Sequence, residues 1–212
     1  MLVREEKMLL LAKESKDYED MINNLSAVIN NCLIDTDLDI WDIPLVEFEY
    51  IFINIRARSI GSEINLKYYD TYDRSIIHDV SIDVSKIKIE IPDNFKNKIM
   101  LNENLGIVFK VPTLTITKNL PNLKEEDFSM VNISFNVVGD CIDYIFDNEQ
   151  IYKITDYSES EISDFIEGLD VESFSKIENF FNTLPAIKHK TSFKNSKGED
   201  VDVVLTRLED FF

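Results

Sequence analysis

The spacing of apolar residues predicts a central helix that other segments surround. Only three of the residues between positions 45 and 55 are polar. A helix that is apolar nearly all round has to be covered on most of its faces. Pro44 stands where the first turn of this helix begins, a place that tolerates proline, and Gly61 follows the helix, where a left-handed cap favours glycine. We therefore expect a buried helix at the centre of the fold.

Two further helices are predicted before the central one. Residues 5–16 have a helical composition. Residues 18–33 carry apolar side chains at steps of three and four, which places them on one helical face: Tyr18, Met21, Ile22, Leu25, Val28, Ile29, Cys32 and Leu33. A single apolar face is typical of a helix that packs on a core, so we expect this pair to pack on the central helix.

The period changes to that of a strand after Gly61. Ile64 and Leu66 alternate with polar residues, and so do the apolar residues of 77–84, with a turn-like stretch at 70–73 between them. Two alternating runs joined by a short turn predict a β-hairpin. Apolar residues alternate with polar ones again at Ile87, Ile89 and Ile91, and residues 105–111 are mostly apolar, which predicts further strands. An antiparallel sheet of about four strands is the simplest assembly of these segments.

Helical spacing returns after residue 125 as a short heptad seam. Its apolar members follow one another at steps of three and four: Phe128, Val131, Phe135, Val138, Ile142 and Ile145. A coiled coil with a partner and packing within the chain both agree with this spacing. Sustained coiled coils usually extend over three to four heptads, which favours packing within the chain.

The last third of the chain carries clear helix starts and a second hairpin. Ser158 followed by Glu161 is a capping box, and Asp170 is placed to cap the next helix. Two alternating runs, joined by a turn at residues 195–198, then predict a final hairpin. One face holds Ile187, His189, Thr191 and Phe193, and another holds Val201, Val203 and Leu205.

These elements predict an α+β fold: N-terminal helices around a buried central helix, a small antiparallel sheet, C-terminal helices and a final β-hairpin. A chain of 212 residues with 44% hydrophobic residues can bury a sizeable core. We expect one domain over residues 1–212, with subdomains 1–118 and 119–212 as the alternative.

Cys32 and Cys141 both lie in apolar patterns, which predicts buried thiols in a reducing compartment. The N-terminus lacks a signal-peptide pattern, and no window approaches the roughly 20 apolar residues of a membrane span. We therefore expect a cytoplasmic protein.

The net charge of −18 is concentrated in one region. Residues 119–184 contain 3 lysines and 15 acidic residues, and thus carry −12 of that charge. Such a surface repels phosphate backbones, which argues against nucleic acid as a partner. A basic protein partner and a simple solvated helical face both remain consistent with the pattern.

The chain lacks a recognisable catalytic or metal-binding motif. Residues 35–39 have the opening spacing of a calcium loop, but Ile40 and Val46 stand where that loop requires glycine and glutamate. His78 and His189 lie in separate predicted strands, with no cysteine or carboxylate at ligand spacing. We therefore predict no catalytic residues, no metal, no cofactor and no enzymatic activity.

Four sequence blocks carry a resemblance to a known family. They are REEKMLLLAKES (4–15) with INNC (29–32), PLVEFEYIFINIRARSIGSEI (44–64), the stretch from CIDYIFD (141–147) to IENFFNTLP (177–185), and LTRLEDFF (205–212). Taken in order, they span nearly the whole chain and resemble the T-even-like bacteriophage baseplate family, which includes a baseplate hub subunit and a hub assembly catalyst.

The resemblance implies a non-enzymatic protein that helps to build the hub of a contractile phage tail. Its expected partners are other baseplate hub or tape-measure proteins, met in the host cytoplasm or in the tail baseplate of the virion. A permanent hub subunit and a transient assembly factor both agree with it, and the acidic excess favours the second. Outside the resemblance, an acidic phage-encoded inhibitor of a host protein or a DNA mimic is the alternative. The oligomeric state stays open.

The resemblance also draws attention to two hairpin turns. Some similar proteins carry Cys-x-x-Cys pairs at these turns, which would let two hairpins share a zinc ion. Here the corresponding residues 69–72 and 193–196 contain no cysteine. We therefore expect no metal, and we expect aromatic side chains such as Tyr69, Tyr72 and Phe193 to hold the hairpins together instead.

Two groups of charged and polar residues are candidates for partner binding. One is the end of the central helix and the other lies in the acidic helices. The candidates are Arg56, Arg58, Ser59, Glu159, Glu161, Glu167 and Glu172. For the two arginines there is a purely structural alternative, because a helix C-terminus stabilises positive side chains without any partner.

Overall fold

The computed structural model describes residues 18–34, 37–119, 135–206 and 208–211, and in addition residues 7, 8, 10, 11 and 14. The chain divides into two compact units. Unit 1 consists of Met1–Ile40, Val46–Glu90 and Ala186–Phe212, and unit 2 of Trp41–Leu45 and Ile91–Pro185. The expected single domain over residues 1–212 stays a prediction.

The described part of the chain contains both helices and antiparallel strands, which confirms the α+β class. The α-helices are α1 (Tyr18–Cys32), α2 (Leu45–Ser59), α3 (Phe135–Cys141), α4 (Glu159–Glu167) and α5 (Val171–Asn182). The strands are β1 (Glu63–Tyr69), β2 (Ile77–Asp83), β3 (Ile89–Glu90), β4 (Lys98–Met100), β5 (Gly106–Phe109), β6 (Ile142–Phe146), β7 (Ile151–Lys153), β8 (Ala186–Ile187), β9 (His189–Lys194) and β10 (Asp200–Leu205).

Helices α1 and α2 supply much of the buried surface of unit 1. The apolar face predicted for α1 is buried at Met21, Ile22, Leu25, Val28 and Ile29. In α2, the predicted central helix, the side chains of Val46, Phe48, Phe52 and Ile53 are buried, and those of Leu45, Tyr50, Ile51 and Ile55 are half-buried. Gly61 follows α2 with φ of 131°, a conformation that side chains other than glycine rarely adopt. The helix predicted over residues 5–16 lies largely outside the described residues.

Unit 1 contains three two-stranded antiparallel sheets. The predicted hairpins are confirmed as β1–β2 and β9–β10, and the short strands β3 and β8 pair with each other. In the second hairpin, Phe193 lies opposite Val201 and His189 lies opposite Leu205. Directly opposed residues of an antiparallel pair point to the same side of the sheet. The two apolar runs therefore share one face, where the sequence had suggested two.

Unit 2 is built around a four-stranded antiparallel sheet of order β4–β5–β6–β7. Helix α3 packs against α4, and α5 packs near β4. The core is strongly aromatic where α5 meets the sheet. Phe180 stacks on Phe109 with ring centroids 4.7 Å apart, and Phe181 meets Phe180 edge-on at 5.1 Å. Ile107 and Ile177 are fully buried in the same cluster.

Two sequence-based expectations about this region are wrong. The heptad seam does not continue as a helix, because α3 ends at Cys141 and residues 142–146 form β6 between β5 and β7. Val138 and Ile142 are both buried in the unit 2 core, so packing within the chain explains their spacing. Phe128 and Val131 lie outside the described residues.

The second wrong expectation is the single sheet of about four strands. The strands between residues 63 and 111 belong to three sheets, because β3 pairs with β8 and β5 pairs with β6.

Candidate functional site

The turns of the two hairpins in unit 1 meet in a polar network that we call the hairpin clip, formed by residues 70–73, His78 and residues 193–199. Its centre is Asp70, whose side chain is only 2% exposed. The Oδ1 of Asp70 accepts hydrogen bonds from the backbone N–H groups of Tyr72 (2.8 Å) and Asp73 (3.1 Å). These bonds shape the turn of the first hairpin, as aspartate commonly does in turns.

Asp70 also reaches across to the second hairpin. The backbone N–H of Ser196 donates to Oδ2 at 2.6 Å, and the Ser196 hydroxyl donates to Oδ1 at 3.0 Å. On the same side, Nε2 of His78 lies 2.8 Å from Oδ2. Both carboxylate oxygens are therefore fully engaged by groups from two hairpins.

These contacts control the protonation of Asp70. Burial by itself would raise the pKa of Asp70, but the hydrogen bonds from His78 and from the N–H groups of Tyr72, Asp73 and Ser196 outweigh it and hold the pKa well below its usual range. Asp70 is thus a charged, buried acceptor at neutral pH, and its charge is needed to satisfy the donors around it.

Asn195 is the second centre of the hairpin clip, and it is 6% exposed. Its Nδ2 donates to Thr71 Oγ1 at 3.2 Å and to Glu199 Oε2 at 3.0 Å. Its Oδ1 accepts from the backbone N–H groups of Lys197 and Glu199. Glu199 also accepts from the Tyr72 hydroxyl at 2.9 Å. Asn195 therefore fixes its own turn through the backbone N–H groups and binds the opposite turn through Thr71.

Aromatic contacts support the polar network. The ring of Phe193 stacks on His78 with centroids 4.7 Å apart and on Tyr68 at 5.9 Å. The ammonium group of Lys197 lies 3.5 Å above the ring of Tyr72. Tyr69 takes no such part, because it is 64% exposed. Of the three aromatic residues expected to hold the hairpins together, Phe193 and Tyr72 do so.

Sequence reasoning predicted the junction and part of its aromatic contacts, but it missed the polar network. The described residues hold no cluster of three or more histidine, cysteine or acidic side chains suited to a metal ion. The groups that join the two turns are the carboxylate of Asp70, the amide of Asn195 and the backbone of Ser196. The only local signal was the turn-forming character of Asp70 and Asn195, which does not reveal a long-range contact.

The basic candidates lie at the end of α2 in unit 1. Arg58 and Ser59 are exposed, whereas Arg56 is half-buried and donates to the carbonyl of Gly61 at 3.0 Å. Burial lowers the pKa of Arg56 from its ordinary value. The hydrogen bond joins the last turn of α2 to the residue that follows the helix, an arrangement that agrees with the structural alternative. Arg58 and Ser59 are the two members of this group that present themselves to solvent.

The acidic candidates lie on α4 and α5 in unit 2, and they differ in what they do. Glu161 completes the predicted capping box, because its Oε2 accepts from the Ser158 N–H at 2.8 Å and from the Ser158 hydroxyl at 2.7 Å. These two bonds lower the pKa of Glu161. Glu172 forms an ion pair with Lys176 at 3.2 Å.

The other two acidic candidates are less constrained. Glu159 is exposed in the first turn of α4. Glu167 is also exposed and accepts one hydrogen bond, from the Ser163 hydroxyl at 3.2 Å. The structure thus groups the four glutamates on consecutive helices of unit 2 and places the arginines in unit 1.

A comparison with protein-family models identifies the chain. The model described as "T4 bacteriophage base plate protein" matches residues 1–212. The chain belongs to this baseplate family. No curated protein and no solved structure matches it. Membership means that this is a bacteriophage baseplate protein, associated with the virion tail and with other phage structural proteins.

The thiols of this baseplate protein occupy different environments. Cys141 is buried in the unit 2 core, and burial, with a smaller contribution from Asp140, raises the pKa of its thiol to about 12. It is therefore protonated and unreactive at neutral pH. Cys32 is only half-buried at the end of α1.

None of the described helices is both long and apolar enough to pass through a bilayer.

Proposed function

We propose that this baseplate protein is a non-enzymatic hub protein, a hub subunit or a hub assembly factor, that acts by binding other baseplate hub or tape-measure proteins. Its place of action is the host cytoplasm during phage assembly. The observation that supports this most directly is the acidic surface of α4 and α5, in a chain whose whole length matches a baseplate family.

The side chains of that surface are available for a partner. Glu159 and Glu167 are exposed, and the capping of α4 does not depend on them, because Ser158 and Glu161 form the cap. A partner with lysine or arginine side chains would meet complementary charge on this surface. Charge complementarity speeds encounters and selects partners more than it adds affinity.

This arrangement favours an assembly factor over a permanent subunit. Permanent interfaces are large and resemble a domain core cut in half. The exposed side of α4 and α5 instead carries glutamates, aspartates and serines, with Val171 as an isolated apolar residue that is 87% exposed. A polar surface of this kind suits a complex that forms and later separates.

The absence of an enzymatic role is also a proposal, and two features support it. Asp70, a carboxylate with a strongly lowered pKa, has both oxygens occupied and almost no exposed surface, so it cannot accept a proton from a substrate. The buried thiol of Cys141 has a raised pKa and is a poor nucleophile.

Quantitative mass spectrometry of mature virions and of tail-assembly intermediates from the same infection tests the proposal. An assembly factor is present in the intermediates and absent from the virions. A hub subunit has the same stoichiometry in both. Absence of the protein from both fractions would overturn the proposed hub function.

A further inference from the structure

The four-stranded sheet of unit 2 has an open edge at β4. The N–H of Phe109 donates to the carbonyl of Asn97, and the N–H of Leu101 donates to the carbonyl of Leu105. In an antiparallel pair such bonded positions alternate with unbonded ones. Lys98 and Met100, the residues between, therefore direct their backbone N–H and C=O groups away from β5. No strand among the described residues pairs with this side of β4.

A groove runs along this open edge. Its volume is about 540 Å³, within the range of roughly 300–1,000 Å³ found for ligand sites. Lys96, Lys98 and Met100 form one wall, and the side of α5 that carries Lys176 and Asn179 forms the other. The apolar side chains of Ile99 and Phe180 also line it. An edge strand beside an apolar and polar groove is the arrangement that binds extended peptides by strand addition.

The groove carries positive charge on a strongly acidic protein. Three lysines and one glutamate line it, whereas the whole chain has a net charge of −18. The glutamate, Glu172, is paired with Lys176, whose ammonium also donates to the carbonyl of Leu101 at 2.8 Å. Within the described part of the chain, Lys96 and Lys98 have no carboxylate partner, and Lys98 lies 4.4 Å above the ring of Phe146. This local charge complements an acidic ligand.

We propose that the groove binds an extended segment of a partner protein as a fifth strand beside β4, and that this segment alternates acidic and apolar residues. The backbone groups of Lys98 and Met100 supply the pairing. Side chains of an added strand point alternately to the two faces of the sheet. Those beside Lys98 meet positive charge, and those beside Ile99 meet its half-buried apolar side chain. The inference rests on the proposed function only in that both require protein partners.

A defined peptide probes the groove directly. The probe is a blocked peptide of about seven residues in which glutamate and valine alternate, a typical strand length. On binding to the ¹⁵N-labelled full chain, we expect the amides of Lys98 and Met100 to shift and to gain protection from hydrogen exchange. A peptide with lysine in place of glutamate controls for charge, and a backbone N-methylated peptide controls for strand pairing. Both controls are expected to bind at least about tenfold more weakly.

A pair of variants at one position separates the backbone from the side chain. Met100→Pro removes an N–H that points away from β5, a place where an edge strand tolerates proline, and Met100→Ala keeps that N–H. We expect Met100→Pro to weaken peptide binding about tenfold more than Met100→Ala does, because both variants lose the methionine side chain and only the proline variant loses the N–H. Lys96→Glu should weaken binding of the acidic peptide and improve binding of the lysine peptide.

Several results would overturn the inference. They are no binding of the acidic peptide, equal binding of its N-methylated form, or amide shifts confined to other parts of the chain. If Met100→Pro does not fold, the N-methylated peptide still decides the matter with the unaltered protein. Sedimentation that reveals a dimer dissociated by Met100→Pro would assign the edge to a second copy of this chain instead. None of these outcomes changes the amounts of the protein found in virions and in assembly intermediates. The proposed hub function and the proposed peptide binding can therefore fail independently of each other.

Discussion

The carboxylate of Asp70 and the backbone N–H of Ser196 are separated by 126 residues in the chain and by 2.6 Å in the structure. A second bond, from the Ser196 hydroxyl, joins the same two residues at 3.0 Å. Because hydrogen bonds to an ionised acceptor are stronger than neutral ones, this pair is the main polar link between the two hairpins of unit 1.

Asp70→Asn keeps the size of the side chain but replaces one acceptor oxygen with a donor group. If the amide nitrogen replaces Oδ2, the N–H of Ser196 loses its acceptor, and if it replaces Oδ1, the N–H groups of Tyr72 and Asp73 lose theirs. We expect the melting temperature to fall by several degrees in a calorimetric scan. Asp79→Asn, an exposed residue of β2, is the matched control and should melt like the unaltered protein. Equal melting of both variants would contradict the central place of Asp70.

The stability difference between the unaltered protein and Asp70→Asn should depend on pH. The folded-state pKa of Asp70 lies below its ordinary value of 3.8, so its stabilising contribution is present above that value and is lost as the pH falls through the folded pKa. Urea unfolding should give a difference between the two proteins that shrinks as the pH falls from about 5 into the acid range. A difference that grows in acid would contradict the prediction.

Ser196→Ala removes one hydrogen bond of the hairpin clip and leaves the backbone bond intact. We expect the free energy of unfolding to fall by about 1 kcal/mol, the usual net value of a single hydrogen bond. Ser192→Ala, on an exposed position of β9, should change it little. In a double-mutant cycle with Asp70→Asn, the two effects should be non-additive, because the residues share one contact.

Ser158→Ala removes the N-cap of α4. The hydroxyl of Ser158 both receives the Glu161 N–H and donates to its carboxylate, so the substitution removes these two bonds and leaves only the one from the Ser158 backbone N–H to Glu161. We expect a loss of about 1 kcal/mol in unfolding free energy, measured by urea denaturation. Ser160→Ala, two residues into the same helix, should leave stability unchanged or slightly raised, since alanine favours helices.

Reversing charge on the acidic surface should impair assembly without unfolding the protein. The double variant Glu159→Lys and Glu167→Lys keeps the cap formed by Glu161. The control is Glu63→Lys with Glu90→Lys, which makes the same charge change at exposed positions of unit 1. We expect only the first variant to be lost from tail-assembly intermediates, with equal melting temperatures for both. Retention of both variants would remove the acidic surface from the interface.

Local signals in the sequence predicted local structure well. Ser158 with Glu161 and Asp170 with Ser173 form their caps within three residues, so the pattern contains all that is needed. The hairpins were predictable for the same reason. The strand β6 was not, because the spacing of Val138, Ile142 and Ile145 agrees with a helix as well, and pairing with β5 and β7 decides between them.

Contacts between distant segments lay beyond the sequence pattern. The pairing of Ile89 with Ile187 joins strands of only two residues each, and the alternation in either segment does not reveal which strand it pairs with. The hydrogen bonds of Asp70 and Asn195 to the opposite hairpin depend on how two turns are oriented, and neither turn encodes this alone. Among the residues predicted to bind a partner, the sequence did not distinguish the exposed Glu159 and Glu167 from Glu161, which forms part of the α4 cap.

Unit 1 consists of segments that lie before and after unit 2 in the sequence, so its parts are synthesised at different times. Its first hairpin is made early, whereas β8, β9 and β10 follow the whole unit 2 segment Ile91–Pro185. In a chain still growing on the ribosome, the rings of Tyr68 and His78 therefore lack their stacking partner Phe193 until the last strands emerge. Closing so long a loop is entropically unfavourable and slow compared with local folding. Unit 2 is thus free to fold first, and the second hairpin joins the rest of unit 1 only after translation has passed residue 205.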